Sequence, residues 1–422
     1  MVQKMRKMKA SGIEWIGEIP EGWEIKYFVQ LFSQVKNKNI GLCEKNLLSL
    51  SYGKIKQKSI ETVGGLLPAN FEGYNIIDRN DIVLRLTDLQ NDQHSLRVGL
   101  SHERGIITSA YCSIRVRGAE SPNYLYYYLH TFDIAKGFYG MGSGVRQGLN
   151  WDGLKYIKIL LPPQHEQDRI SVFLNQKTLE IDSMLSKTIS SIEEYKKLKQ
   201  AVITQAVTKT IYDDFGNPSK FRKLRSLCDV LSKGTTPKDI ETQNDEFYCI
   251  RYLKSENIVS NQLNLNPTFF ITAETNNSLE RSKLNSGDIL FVIAGASIGK
   301  VAITTADFLP ANTNQAVAFI RLSSSYQYAT KYIWYFLQSD VVKQLIALSA
   351  VQSAQPNLSL EDLGAMRLPL PDQMGCLKIT DYLDAKCAEI DKLIAKKEQL
   401  VKELESYKKS LIYEVVTGKR EV

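Results

Sequence analysis

Part of this sequence is written twice, and that repeat limits the possible folds more than any other feature. Leu161-Pro162-Pro163-Gln164 returns as Leu370-Pro371-Asp372-Gln373, and Leu179-Glu180-Ile181-Asp182 as Ala388-Glu389-Ile390-Asp391. Ala206-Val207-Thr208 returns as Val415-Val416-Thr417. Each pair is separated by the same 209 residues, so one structural unit is present twice in the chain.

The repeated segments read as helix. In the first copy Ile170, Phe173, Leu174, Ile181, Leu185, Ile192 and Val202 recur at helical spacings. In the second, Leu383, Ile390, Lys397, Leu404 and Leu411 form one seven-residue column, and Cys387, Ile394, Val401, Lys408 and Val415 form another. The columns make an a/d seam with charged residues between them. Each copy follows a proline-marked turn and ends in Val-Thr, with Gly418 just past the second. A helix of roughly 40 residues is about 60 Å long. Neither copy can bury its apolar stripe alone, so the two are expected to pair, antiparallel, within the chain.

A differently textured block precedes each helix. Short apolar runs separated by Gly, Asn and Thr predict strands with many turns. Asp81-Ile82-Val83-Leu84 parallels Asp288-Ile289-Leu290-Phe291, and Ser113-Ile114-Arg115-Val116 parallels Phe319-Ile320-Arg321-Leu322. Tyr124 to Leu129 parallels Tyr332 to Leu337. Skeletons match while loops differ, as expected of one fold carrying two different surfaces. The expected class is α+β, with two similar domains joined by two long antiparallel coiled-coil helices in a pseudo-twofold repeat. The expected boundaries are an N-terminal segment 1–20, a first block 21–160, a central helix 161–212, a second block 213–367 and a C-terminal helix 368–422.

At 422 residues the chain is too long for one ordinary core. The formal charge of +7 permits a polyanionic partner without requiring one. None of the six cysteines forms a C-x-x-C pair, so reduced thiols are expected. No signal-like or membrane-length apolar run is seen, which predicts a cytoplasmic protein without a membrane partner.

Catalytic constellations are missing from the sequence. His94, His102, His130 and His165 are scattered, with no metal-ligand spacing, and read as surface or hydrogen-bonding residues. Gly295-Ala296-Ser297-Ile298-Gly299-Lys300 is one residue short of a P-loop, and Val301 stands where a magnesium-holding hydroxyl is needed. Asn266-Pro267-Thr268-Phe269 falls short of the adenine-methyltransferase motif at Thr268. No cofactor is therefore expected in this chain.

Together these features resemble the specificity subunit of type I restriction–modification systems. The resemblance rests on Ser11-Gly12-Ile13-Glu14-Trp15-Ile16-Gly17-Glu18-Ile19-Pro20 with Gly22-Trp23-Glu24, and on Leu161-Pro162-Pro163 with Glu166-Gln167. Gly287-Asp288-Ile289-Leu290 with Ile298-Gly299-Lys300-Val301, and Tyr407 to Ile412 with Val416-Thr417-Gly418-Lys419, complete it. It covers essentially the whole chain. One departure stands out: Gly375-Cys376 replaces Glu166-Gln167 in the second copy, so that helix is expected to start differently or lack a capping contact.

The resemblance implies two target-recognition domains that read a bipartite double-stranded DNA site, with the helices fixing the spacing of its halves. It implies two copies of a methyltransferase partner carrying S-adenosylmethionine. An optional further partner is a restriction/translocase subunit using ATP and magnesium. Two rivals remain: a methylase or nuclease folded into this chain, and a coiled-coil scaffold that binds no DNA.

Base edges are read by Arg, Asn, Gln and Ser/Thr on exposed loops, and phosphates by Lys, Arg and backbone amides. Four regions fit. The Gly-rich 140–148 stretch carries Arg146 and Gln147, and Gln352 and Gln355 stand at nearly the same place in the second copy. Lys54, Lys56 and Lys58 alternate along a strand and share one face. Arg85, Gln90, Asn91 and His94 follow a strand, with Arg97 and Arg104 nearby. Thr236 and Lys238 follow Gly234, with Arg251, Lys254 and Asn257 beyond, and Lys300 closes the Gly295–Gly299 turn. Each region could equally be a solvated turn or strand face.

Overall fold

The computed structural model describes residues 6–59, 70–89, 96–142, 148–208, 220–350 and 357–422. The chain divides into two compact units: residues 1–188 with 399–422, and residues 189–398. Each unit therefore combines one globular block with parts of both long helices. These run over Gln164–Val207 (the central helix) and Gln373–Val416 (the C-terminal helix), 44 residues each and 209 residues apart at both ends. The expected helical spans open instead with strand, at Lys158–Leu161 and Arg367–Leu370.

The first unit is built on β1 (Glu24–Tyr27), β2 (Phe32–Gln34), β3 (Leu48–Ser51), β4 (Lys54–Gln57), β5 (Ile82–Leu84), β6 (Val98–Leu100), β7 (Cys112–Val116) and β8 (Lys158–Leu161). An antiparallel sheet has the order β2-β7-β5-β6. β8 pairs with β1, and β3 with β4. Helix α1 (Pro122–Ile134) starts with Pro122 at its first turn, and the Ser121 hydroxyl accepts from the Tyr124 amide. The residues of β5 are fully buried, which is why they form an unbroken apolar run in the sequence.

The second unit repeats this plan with β9 (Lys220–Lys223), β10 (Cys228–Lys233), β11 (Tyr248–Leu253), β12 (Phe270–Thr272), β13 (Ile289–Val292), β14 (Val301–Ile303), β15 (Ala311–Thr313), β16 (Val317–Leu322), β17 (Arg367–Leu370) and helix α2 (Thr330–Leu337). Its antiparallel sheet has the order β10-β16-β13-β14, strand for strand the order of the first unit. β17 pairs with β9 as β8 pairs with β1. A second sheet of order β12-β11-β15 includes a parallel pair.

Each unit packs the start of one long helix beside the end of the other, which makes the pairing antiparallel. In the first unit Ile170, Leu174 and Ile181 share a core with Leu411, Ile412, Val415 and Val416. In the second, Ile203, Ala206 and Val207 share one with Ile379, Leu383 and Cys387. Tyrosine hydroxyls pin both junctions. Tyr124 donates to the carbonyls of Leu160 and Val416, at 3.1 and 3.3 Å. Tyr332 donates to those of Pro369 and Val207, at 2.6 and 3.4 Å. Between the helices Lys408 meets Asp182 at 2.5 Å, and at the repeat-equivalent positions Lys199 meets Asp391 at 2.7 Å. Between Asp391 and Ser410 of the C-terminal helix no residue is fully buried, whereas the middle of the central helix keeps Thr188 and Ile192 buried.

The second helix starts at the same point of the repeat as the first, so of the two expected outcomes it is the lost contact, not a shifted start, that the structure shows. Only its contacts differ. Glu166 accepts from the Trp23 indole at 2.7 Å and pairs with Arg6 at 2.5 Å, while Gly375 offers no side chain there. The Asp372 carboxylate compensates by capping the Gly375 amide at 2.7 Å. The Gln167 amide donates to the Pro162 carbonyl, and the Cys376 thiol to the equivalent Pro371 carbonyl.

Candidate nucleic-acid interface

The β3–β4 hairpin closes through Tyr52 and Gly53, both at positive φ (47° and 74°), the signature of a two-residue turn matched to strand twist. Register pairs Ser51 with Lys54 and Ser49 with Lys56. Lys54 and Lys56 are exposed, and the intervening Ile55 is half-buried against Leu48 and Leu50. Lys58 lies just past the strand, exposed, its backbone amide donating to Leu47. The three lysines are not equivalent. The Lys54 ammonium sits 2.9 Å from Asp182 of the central helix. Burial raises the Asp182 carboxyl, but Lys408 and Lys54 outweigh it and hold the group below the usual range. Lys54 is thus partly neutralised, whereas Lys56 and Lys58 have no ion pair among the described residues.

Arg85 follows β5 directly and is half-buried. Its amide donates to the Arg97 carbonyl at 2.9 Å, extending the β5–β6 ladder by one residue. The next residue, Leu86, accepts from the Leu149 amide at 2.9 Å. The chain that carries Arg146 and Gln147 therefore returns to the end of the strand that carries Arg85. Arg146 and Gln147 themselves lie outside the described residues, as do Gln90, Asn91 and His94. Arg97 and Arg104, near neighbours in sequence, are both engaged within the fold. Arg97 is fully buried, and Arg104 is paired with Glu44 and Asp78 at 3.2 and 2.8 Å.

The second unit repeats this return. The Leu358 amide donates to the Ile293 carbonyl at 2.8 Å, and Asn357 bridges to Ala294. Gln352 and Gln355 lie just before this point, outside the described residues. Ala294 leads into the turn Gly295–Lys300, which joins two antiparallel strands, β13 and β14. A P-loop needs a helix after its lysine, so this turn is a hairpin connection. Gly295 and Gly299 take φ of 86° and 87°, which side-chain-bearing residues rarely adopt. Lys300 is half-buried, and its carbonyl accepts from Val292.

Thr236 and Lys238 are both exposed, on a loop docked against the second sheet. Gly234 makes this docking possible: a Cβ there would lie 1.8 Å from the Thr313 carbonyl oxygen. The Thr235 amide donates to that carbonyl at 3.1 Å, and the Tyr252 hydroxyl donates to the Thr235 carbonyl at 2.8 Å. Burial pushes the Tyr252 hydroxyl up to about 12, with a bond to Thr236 opposing, so it stays a donor. Arg251 precedes Tyr252 on β11 and donates to the Asp307 carbonyl at 2.6 Å. Lys254 and Asn257 serve the fold: Lys254 covers the Phe269 ring at 3.5 Å, and Asn257 donates to the Asn264 and Pro267 carbonyls.

Two features were not legible in the sequence. One is a cavity of about 760 Å³ in the first unit, lined by Tyr52, Lys54, Tyr126, His130, Asp182 and Lys408 among others. The other is the burial of His130, expected at a surface or in a hydrogen bond. It is 8% exposed, and its Nδ1 has no partner among the described residues. Burial, with Lys408 and Lys409 nearby, lowers it to about 4. No group of His, Cys, Asp or Glu able to hold a metal occurs among the described residues, and none of their helices is long and apolar enough to cross a membrane.

The two units share one sheet order and carry different side chains at their strand ends. Residues 217–403 match the family described as the type I restriction modification DNA specificity domain. The type I restriction enzyme EcoBI specificity subunit of Escherichia coli is 27% identical over 256 residues, 56% of this chain, and the match spans 53% of that protein. A Methanocaldococcus jannaschii protein named as the type I restriction enzyme MjaX specificity subunit is 22% identical over 96% of this chain and 95% of its own length. Among solved structures, the HsdS subunit of Thermoanaerobacter tengcongensis is similar over 95% of this chain and 98% of its own, with a TM-score of 0.52 and 14% identity. A chain from a study of complex assembly in the type I R-M system is similar over 95% and 99%, with a TM-score of 0.72 and 14% identity. Residues 217–403 thus match the DNA specificity domain, and the fold of the chain is similar to that of these two structures.

Proposed function

We propose that this chain is the DNA-reading subunit of a type I complex: it performs no chemistry and directs partner subunits to a bipartite target. One observation carries the reading. The sheets β2-β7-β5-β6 and β10-β16-β13-β14 are identical in order, yet the residues at matching strand ends differ, with the half-buried Arg85 in one where the buried Val292 stands in the other. Identical frames with different side chains suit two half-sites of different sequence. The exposed Lys56, Lys58 and Lys238 suit phosphates, and Arg85, Arg251 and Thr236 suit base edges or the sugar–phosphate wall. Arg146, Gln147, Gln352 and Gln355, with Gln90, Asn91 and His94, complete the proposed contact set. Two copies of a methyltransferase would engage the repeated helices and supply S-adenosylmethionine. A restriction subunit using ATP and magnesium would join them, in the cytoplasm.

The test is co-expression with a type I methyltransferase subunit, followed by mapping of N6-methyladenine in host DNA by single-molecule sequencing. The expected result is a split, asymmetric motif that disappears when this chain is deleted. A motif that persists without the chain would show that the methyltransferase reads DNA alone.

A further inference from the structure

The geometry points to Arg97 as a positioning residue that sets the direction in which Arg85 leaves the first unit's sheet. The inference deepens the proposed function and rests on that reading. Arg97 is fully buried, so it cannot touch DNA. Its guanidinium instead grips the segment that follows β5. One Nη donates to the carbonyls of Arg85 and Thr87, at 3.1 and 2.7 Å, and the other to that of Asp88 at 3.1 Å. The Arg97 carbonyl accepts the Arg85 amide at 2.9 Å, so both main-chain polar groups of Arg85 are held by this one residue.

Arg97 is itself fixed. Its amide donates to the Asp133 carboxylate of α1 at 2.7 Å. Its Nε donates to the Tyr139 hydroxyl at 3.2 Å, and its guanidinium lies 5.1 Å from the centre of that ring. The clamp also holds a left-handed turn, a conformation that Asp tolerates better than most residues but that still carries a cost. Asp88 has φ of 53°, in the left-handed region, and its carbonyl is one of the three gripped. A non-glycine residue stays there only when its surroundings over-determine it. The second unit repeats only the backbone half of the device: Lys300, which precedes β14 as Arg97 precedes β6, accepts the Val292 amide at 2.9 Å. The full clamp thus belongs to the first unit, and its effect should fall on one half-site.

The experiment compares R97Q and R97K with the wild type in the full chain co-expressed with its methyltransferase, with methylated sites mapped across host DNA. In parallel, amide exchange at Leu86–Leu89 is followed on the full chain without DNA. The expected result for R97Q is faster exchange and relaxation of one half-site only, with methylation of singly mismatched sites rising roughly ten-fold, the scale of one lost directed base contact. R97K, keeping the charge but not the fork, should fall between. An unchanged motif, or equal relaxation of both half-sites by folded protein, overturns the inference. Should R97Q fail to accumulate, R97K decides by the same criteria. If the wild type gives no split motif, the proposed function itself has failed, and the exchange data alone decide whether Arg97 holds the segment.

Discussion

Asp288 accepts both the Nε and an Nη of Arg321, at 2.8 and 2.7 Å, and the same fork joins Asp81 to Arg115 in the first unit. Each aspartate is 1% exposed, and each also accepts a backbone amide three residues back, from Asn285 or Asp78. Arg115, however, has a spare carboxylate in Asp78 at 2.7 Å, whereas Arg321 has no second carboxylate among the described residues and otherwise meets the Lys283 carbonyl and the Asn285 side-chain oxygen. D288A should therefore cost about 3 kcal/mol, the scale for breaking a buried pair. D81A should cost clearly less. Urea unfolding of both variants checks this, and equal losses would contradict it.

His130 predicts a pH dependence. Its folded value is lowered to about 4 from an ordinary value near 6.5, so only the unfolded chain binds the proton readily between those limits. The groups facing it are the cations Lys408 and Lys409, with Tyr126 stacked at 5.8 Å. Stability is intact above pH 6.5, falls as pH drops toward 4, and is then flat, a loss of about 3 kcal/mol in all. H130Q introduces the residue found at the equivalent Gln338. It should remove this part of the decline, seen as the difference between the two proteins' stability curves over pH 4–6.5.

Gly234 is a position where a single methyl group matters. Its Cβ would collide with backbone at Thr313, which cannot move as a flexible side chain would. G234A should destabilise the second unit by about 2 kcal/mol or more. G17A, whose Cβ meets nothing within 4 Å but which sits at φ of 77°, should cost only the backbone penalty of about 1 kcal/mol. Thermal melting of the pair separates collision from strain.

The long helices predict a spacing effect under the proposed function. One extra helical turn of four residues adds about 6 Å. Inserted after Thr188 and after Glu398, where the units divide, it should change the number of unspecified base pairs in the methylated motif by about two. A motif of unchanged spacing would argue against a ruler role.

The helices and the twofold repeat were legible because periodicity is local: Ile181 and Ile390 sit at equivalent points of one pattern and are both buried. The parallels at Asp81 and Asp288, and at Arg115 and Arg321, marked matching strands, although nothing in the sequence paired the acids with the arginines. Partners far apart in the chain left no trace. Lys54 meets Asp182 across 128 residues, so an alternating run of lysines looked uniform although one of them is engaged. Arg97 looked like one more basic residue beside a loop, because burial is decided by tertiary packing. His130 was misread as a surface or bonded residue for the same reason.

The tyrosine contacts to the helix ends have a consequence for synthesis. The second unit is one unbroken stretch, 189–398, and all of it has been translated before residues 399–422 are made. The first unit must wait: Tyr124 has no Val416 carbonyl to meet, and Ile170 and Leu174 no Leu411 or Val415 to pack on, until the end of the C-terminal helix has been translated. The half of the protein made first is completed last, and a chain cut short before Leu411 would leave its earliest domain open while its later one is closed.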